Sequence, residues 1–224
     1  ALIPVMGSVF SRIGSWNAHL DGTANPMAFV AIGIVVLFQL FGGRFSMEAT
    51  RESMISEKRW RIHAAPCQPA VHAMGIIVSS ALVSLLQGGL LAAFARAALG
   101  VRWGNPAVLL VVLLGTALVA QLAHAIILLA IRSYGAAVTV GWVFAWGSAA
   151  LGGLMFPLPQ DRPFWRFMTT YGTPYSLAQT ALANSAGGGA GGAARQTAVC
   201  IGALFALSAL LAFVLALVGR RKLS

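Results

Sequence analysis

The sequence predicts an all-α integral membrane protein: a helical bundle with five spans, a helix in one cytoplasmic link and a helical hairpin in one external link. Three observations carry this. Of 224 residues, 58% are apolar and only 9% are charged, where a soluble domain carries roughly 25% charge. Five runs close to the ~20 residues that a bilayer core requires contain no Lys, Arg, Asp or Glu. These runs are continuous rather than alternating, which argues against barrel strands.

The spans follow in order. The first, about Met27–Gly43, opens after Pro26 and closes before Arg44. The second covers about Met74–Ala95, the third Pro106–Ile131, the fourth Ala136–Phe156 and the fifth Thr197–Val218. Between the first two, Arg44–Pro66 has the content of a helix: Glu48 and Glu52 lie early, Lys58, Arg59 and Arg61 late, and Pro66 and Pro69 end it. Met47, Met54 and Ile55 make one narrow apolar stripe on it. That stripe suits either a helix resting on lipid headgroups or a docking helix for a cytoplasmic partner. Gly100–Asn105 and Ile131–Tyr134 are tight turns.

The link Pro157–Gln196 is longer and aromatic. Phe156, Phe164, Trp165, Phe167, Tyr171 and Tyr175 are interleaved with Pro157, Pro159, Pro163 and Pro174. Such a composition predicts a hairpin over about 157–182 whose short helices lie in, or dip into, the outer interface. Asp161 and Arg162 at its start suit a local ion pair or a cap. Ser185–Ala194, SAGGGAGGAA, reads as a flexible tether.

Positive charge orients the bundle. Arg44, Arg51, Lys58, Arg59, Arg61, Arg132, Arg220, Arg221 and Lys222 fall on one side, against Arg12, Arg96, Arg102, Arg162, Arg166 and Arg195 on the other. The richer side is expected in the cytoplasm with the C-terminus, in a multi-pass protein of a bacterial inner or plasma membrane. Five spans then put Ala1 outside. The opening ALIPVMGSVF does not read as a signal peptide, so a further span upstream of Ala1 is expected. The formal net charge of +10 is thus mainly an orientation device, and no nucleic acid is expected as a partner.

Few chemistries are open to such a chain. Five acids leave little for paired-carboxylate catalysis, and Cys67 and Cys200 are too far apart in sequence and context to suggest a disulfide framework or a zinc site. No G-x-x-x-x-G-K-[ST] loop is present. The polar residues of the spans are the remaining candidates. Gln87, Gln121 and His124 suit either a substrate pathway or ordinary interhelical hydrogen bonds. Trp142 and Trp146, four apart, suit packing or stacking on an aromatic cargo. Gly141, Gly147, Gly152 and Gly153 with Ala145, Ala149 and Ala150 suit close helix contact, within the bundle or with a second bundle.

Two segments resemble a known family. RESMISEKRWRIHAAPCQPAVHAMGIIVSSALVSLLQ, from Arg51 to Gln87, is similar to the cytoplasmic signature of ABC-2 type permeases. GGLMFPLPQDRPFWRFMTTYGTPYSLAQTAL, from Gly152 to Leu182, is similar to their span-five exit and external hairpin. The resemblance covers nearly the whole chain from Met27, and its six-span pattern makes the spans here the second through sixth. It implies a permease that pairs with a second permease, identical or not, and with two cytoplasmic ATP-binding cassette subunits that hold ATP and Mg. This chain would bind no cofactor and hold no catalytic residue. About 46–60 would be the coupling helix, with Glu52, Glu57, Lys58 and Arg59 for polar contacts and Met54 and Ile55 for packing.

The expected function is ATP-driven export of a hydrophobic or amphipathic molecule such as a drug, an antibiotic or a lipid-like compound, because charge is scarce along every span. Two alternatives stand beside it. A haem or redox subunit would use His72 and His124, both at the cytoplasmic ends of their spans. A secondary carrier would need an intramembrane acid for ion coupling, and the spans contain none.

Overall fold

The computed structural model describes residues 26–55, 69–155, 158–159, 161–188 and 191–223. All of the regular structure among them is helical: α1 (Pro26–Phe41), α2 (Arg44–Thr50) with a π-helical turn over Arg51–Ile55, α3 (Pro69–Leu99), α4 (Pro106–Ala130), α5 (Tyr134–Leu151), α6 (Pro163–Phe167) with a second π-helical turn over Met168–Gly172, α7 (Pro174–Ala186) and α8 (Gly192–Leu223). Five stretches are long and apolar enough to cross a membrane: Ala28–Ser53, Val71–Leu99, Pro106–Ala130, Tyr134–Leu151 and Gly192–Gly219. The protein is an all-α membrane protein.

Local chemistry sets the helix ends. Asn105 caps α4 by accepting from the Ala107 amide at 2.9 Å, with Pro106 in the first helical position. Thr173 caps α7 in the same way, accepting from Ser176 at 3.0 Å ahead of Pro174. α3 stops at Gly100, whose φ of +67° only glycine adopts freely, and Val101 N–H reaches back to Ala95 O at 3.3 Å. Gly153, at φ +86°, closes α5 similarly and turns Leu154 into the interior.

α1 is the centre of the bundle. It packs against α3, α4, α5 and α7, and Val30, Ala31, Ile32, Val36 and Leu40 are fully buried. α8 lies outside this group against α4 and α7. Contacts at the two ends sort the connections. The Tyr134 hydroxyl donates to Glu48 Oε2 at 3.2 Å, joining α2 to the α4–α5 turn. The Asn105 amide donates to Ser185 Oγ at 3.0 Å, joining the α3–α4 turn to the end of α7. Alternate connections therefore meet at opposite ends, as a bundle of spans requires.

Three local features differ from the sequence expectations. α2 continues almost directly from α1 through Gly42–Gly43, and Ser46, Met47 and Thr50 are buried. Its apolar stripe therefore begins inside the bundle, where Met47 packs on Leu128 and Ala137. The second arm of the hairpin, α7, is also interior: Tyr175, Ala178, Ala181 and Leu182 are fully buried. Its small residues allow this close packing, and Gly33 and Gly152 leave room for the Tyr175 ring. Finally, the expected tether is short, because helix persists to Ala186 and resumes at Gly192. Glu57, Lys58, Arg59, Cys67 and Phe156 lie outside the described residues, as do the side chains of Met54 and Ile55.

Candidate functional site

Among the described residues, a cavity of about 520 Å³ opens between α1, α2 and α5. α1 contributes Ile34, Leu37, Phe38 and Phe41, the following turn and α2 contribute Gly42, Arg44, Phe45 and Met47, and α5 contributes Val138, Trp142 and Trp146. Leu154 and Met155, just after α5, also line it, as do Gln87 of α3 and His124 of α4. The lining is apolar except for Arg44, Gln87 and His124.

An aromatic wall dominates the site. The Phe41 ring lies 4.9 Å from Trp142 and 5.6 Å from Trp146, centroid to centroid, and 6.4 Å from Phe38. The i, i+4 spacing of the tryptophans puts both on the face of α5 that meets Phe41. Such edge-on and tilted rings favour one another and leave faces for a further apolar or aromatic group. His124 is set between Gly43 and Gly141, where no side chain competes with its imidazole. Its Nδ1 lies 2.9 Å from Ala120 O, which fixes the ring, and Phe144 meets it edge-on at 6.0 Å.

Four of the five residues expected along a pathway therefore line one cavity: Gln87, His124, Trp142 and Trp146. Gln121 does not line it. That glutamine is fully buried, donates through Nε2 to Gly42 O at 3.0 Å and Ser80 O at 3.3 Å, and accepts from the Ser46 amide at 3.1 Å. It ties the α1–α2 turn to α3 and α4. Gln39, overlooked in the sequence, does the same one layer away: its Oε1 accepts from Ser84 Oγ at 2.7 Å and its Nε2 donates to Leu113 O at 3.4 Å. A lone glutamine in an uncharged span was the available signal.

The other expected residues are dispersed. His72 sits in the first turn of α3, its Nε2 buried without a hydrogen-bond partner among the described residues, and His124 is enclosed by its glycines. No group of three His, Cys, Asp or Glu gathers among the described residues. Cys200 is a buried free thiol on α8. Asp161 and Arg162 are exposed, and Arg162 is the N-cap residue of α6 without a side-chain cap bond. Trp165 is half-buried against Phe164 at 5.1 Å. Tyr175, placed by sequence in an interfacial hairpin, is in the core beside Gly33. Of the small residues on α5, Gly141 and Gly152 accommodate His124 and Tyr175 within this chain, whereas nothing lies within 4 Å of a Cβ at Gly147.

α2 and its π-helical turn reach the same end as the α4–α5 turn. The Arg51 guanidinium stacks 4.1 Å above the Tyr134 ring, whose hydroxyl is bonded to Glu48. Glu52, the next residue in sequence, is exposed. Tyr134 is the first residue of α5, the helix that carries both cavity tryptophans.

Comparison with known families gives one description that fits this architecture: the model of the ABC-2 type transporter family matches residues 1–186, a stretch ending at the last residue of α7. The curated proteins and the solved structures give no match.

Proposed function

The chain belongs to the ABC-2 type transporter family, and from that membership we propose that it forms the export pathway of an ATP-driven transporter for a hydrophobic or amphipathic cargo. The chain is a multi-pass membrane permease component of an ABC transporter, the part of such a machine that lacks its own ATPase site, and it works with ATP-binding cassette subunits.

The export of an apolar cargo rests chiefly on the α1–α5 cavity, whose wall is aromatic and whose charge is confined to Arg44. An apolar cargo gains there by leaving water or lipid for flat ring faces, while a strongly polar one would lose hydration without recovering hydrogen bonds. α2 with the turn after it is the coupling element in this reading. An ATPase subunit docks there through Glu52 and, in the sequence that follows, through Glu57, Lys58 and Arg59, and ATP and Mg are held by that subunit. Displacement of α2 acts on α5 through Met47 on Ala137 and through Glu48 and Arg51 on Tyr134. A second permease, identical or not, completes the pathway, and α2 and the C-terminus face the cytoplasm of a bacterial plasma membrane.

The test is co-purification of the full chain with its ATP-binding cassette partner, followed by transport in vesicles. The double variant Glu52→Lys, Glu57→Lys is expected to lose the partner while still inserting. Normal assembly and transport by that variant would remove α2 as the docking element. Absence of ATP-dependent accumulation of any hydrophobic dye would remove the cargo assignment.

A further inference from the structure

The first arm of the hairpin has a use that neither the cavity nor the coupling element explains. Arg162, the N-cap residue of α6, and Arg166, in its last turn, are both exposed. Phe164, Phe167 and Tyr171 follow at i, i+3 and i+7, with relative exposures of 59%, 55% and 37%. At 3.6 residues per turn Arg166 lies on a face turned away from the three rings, and Arg162 precedes the helix as its extended N-cap residue. The π-helical turn over Met168–Gly172 preserves this stripe: it keeps Tyr171 under Phe167, with ring centroids 6.2 Å apart. Two like charges this close repel, and an anion held between them would relieve the repulsion.

Charge is one-sided at this end. The last turn of α3, the α3–α4 turn and the start of α8 add exposed Arg96, Arg102 and Arg195 to Arg162 and Arg166, and Asp161 is the one acid there among the described residues. An exposed aromatic stripe backed by arginines is the pattern of a helix lying in a membrane interface, rings toward the acyl chains and cations toward headgroups. A zwitterionic headgroup offers no net charge to five arginines; a phosphatidylglycerol or cardiolipin phosphate does, and it accepts two parallel N–H bonds from one guanidinium.

We propose that Arg162 and Arg166, on the helix carrying Phe164, Phe167 and Tyr171, form a binding site for an anionic phospholipid headgroup. The site holds the descending arm of the hairpin at the membrane surface and so supports α7, which enters the bundle immediately after it. This inference is independent of the cargo and of the ATPase partner.

The test uses the full chain in nanodiscs made from equal parts of phosphatidylglycerol and phosphatidylcholine, exchanged into detergent and weighed by native mass spectrometry with its retained lipid. The wild type is expected to retain phosphatidylglycerol preferentially. Each basic residue at an anionic surface contributes a factor of about five, so Arg162→Gln, Arg166→Gln is expected to reduce the preference by ten- to thirtyfold. Phe164→Ser, Phe167→Ser, which keeps both charges, is expected to reduce retention of both lipids. An unchanged preference in the double arginine variant, with the same thermal transition as wild type in phosphatidylcholine alone, would overturn the proposal. Equal protection of the wild type by millimolar inorganic phosphate and by phosphatidylglycerol would also overturn it, since the site would then recognise a free ion. Should the double variant fail to fold, Arg162→Lys, Arg166→Lys must retain the preference; its loss there counts against a charge-based site.

Discussion

His124 occupies the space that a side chain at Gly141 would need: a Cβ at that position would lie 2.7 Å from the imidazole Cδ2 and 2.8 Å from Nε2. The ring is also bounded by Gly43 and held at Ala120 O, so it has nowhere to retreat. Gly141→Ala is therefore expected to lower stability by about 1–3 kcal/mol, the usual cost of forcing extra volume into a packed site. Gly147→Ala, on the same helix and with nothing within 4 Å of its Cβ, is expected to be neutral or to stabilise by up to about 1 kcal/mol through helix propensity. Thermal unfolding of the two variants in one detergent decides the matter; equal transitions would show that His124 is not confined by Gly141.

Gln39 and Ser84 present a second separable contact. Their 2.7 Å hydrogen bond is buried between α1 and α3, and Gln39 extends the link to the backbone of α4. A double-mutant cycle of Gln39→Leu and Ser84→Ala, read by unfolding in mixed micelles, is expected to give a coupling energy of about 0.6–1.7 kcal/mol, the range for interhelical side-chain bonds in membranes. A cycle that closes to zero would mean that the helices are held by apolar packing alone.

The bundle was legible in the sequence because each span is an uncharged run, and a charge in lipid is costly enough to make its absence informative. Part of the cavity was legible too: Gln87 and His124 stood out as polar, and Trp142 and Trp146 as a large aromatic pair. Phe38, Phe41, Leu154 and Met155 did not stand out. An apolar residue in a spanning helix looks identical in sequence whether it faces lipid, a neighbour or a cavity, and only the packing of α1 at the bundle centre distinguishes them. Gln121 illustrates the converse. Its polarity was visible, but its position opposite the α1–α2 turn, which lets its amide take up Gly42 O and the Ser46 amide, depends on the near-continuity of α1 and α2. The sequence suggested a break after Gly43, since Arg44 begins a charged stretch. The depth of α7 was hidden similarly, because Tyr and Pro mark an interface equally well when a Gly33 and a Gly152 on other helices admit the ring.

Trp142 and Trp146 provide the most direct test of the cavity as the cargo site. Both stack on Phe41 but remain partly exposed, at 46% and 38%. Truncating either therefore removes a ring face more than it removes buried core, and the bundle is expected to remain folded. Each lost aromatic contact is worth about 0.5–1.5 kcal/mol beyond its area, or roughly two- to twelvefold in affinity. Trp142→Ala and Trp146→Ala are accordingly expected to raise the half-saturating concentration of a hydrophobic dye that stimulates the ATPase of the reconstituted transporter by about three- to tenfold each. Val143→Ala, on α5 between them but 65% exposed and outside the cavity lining, is expected to leave it within twofold. The comparison separates a cargo site from a general dependence on α5: a helix that matters only for packing would respond to Val143 as to its neighbours, or would respond to the tryptophans in unfolding temperature and not in half-saturation. A half-saturating concentration unaltered in both tryptophan variants would exclude the α1–α5 cavity as the place where the dye binds.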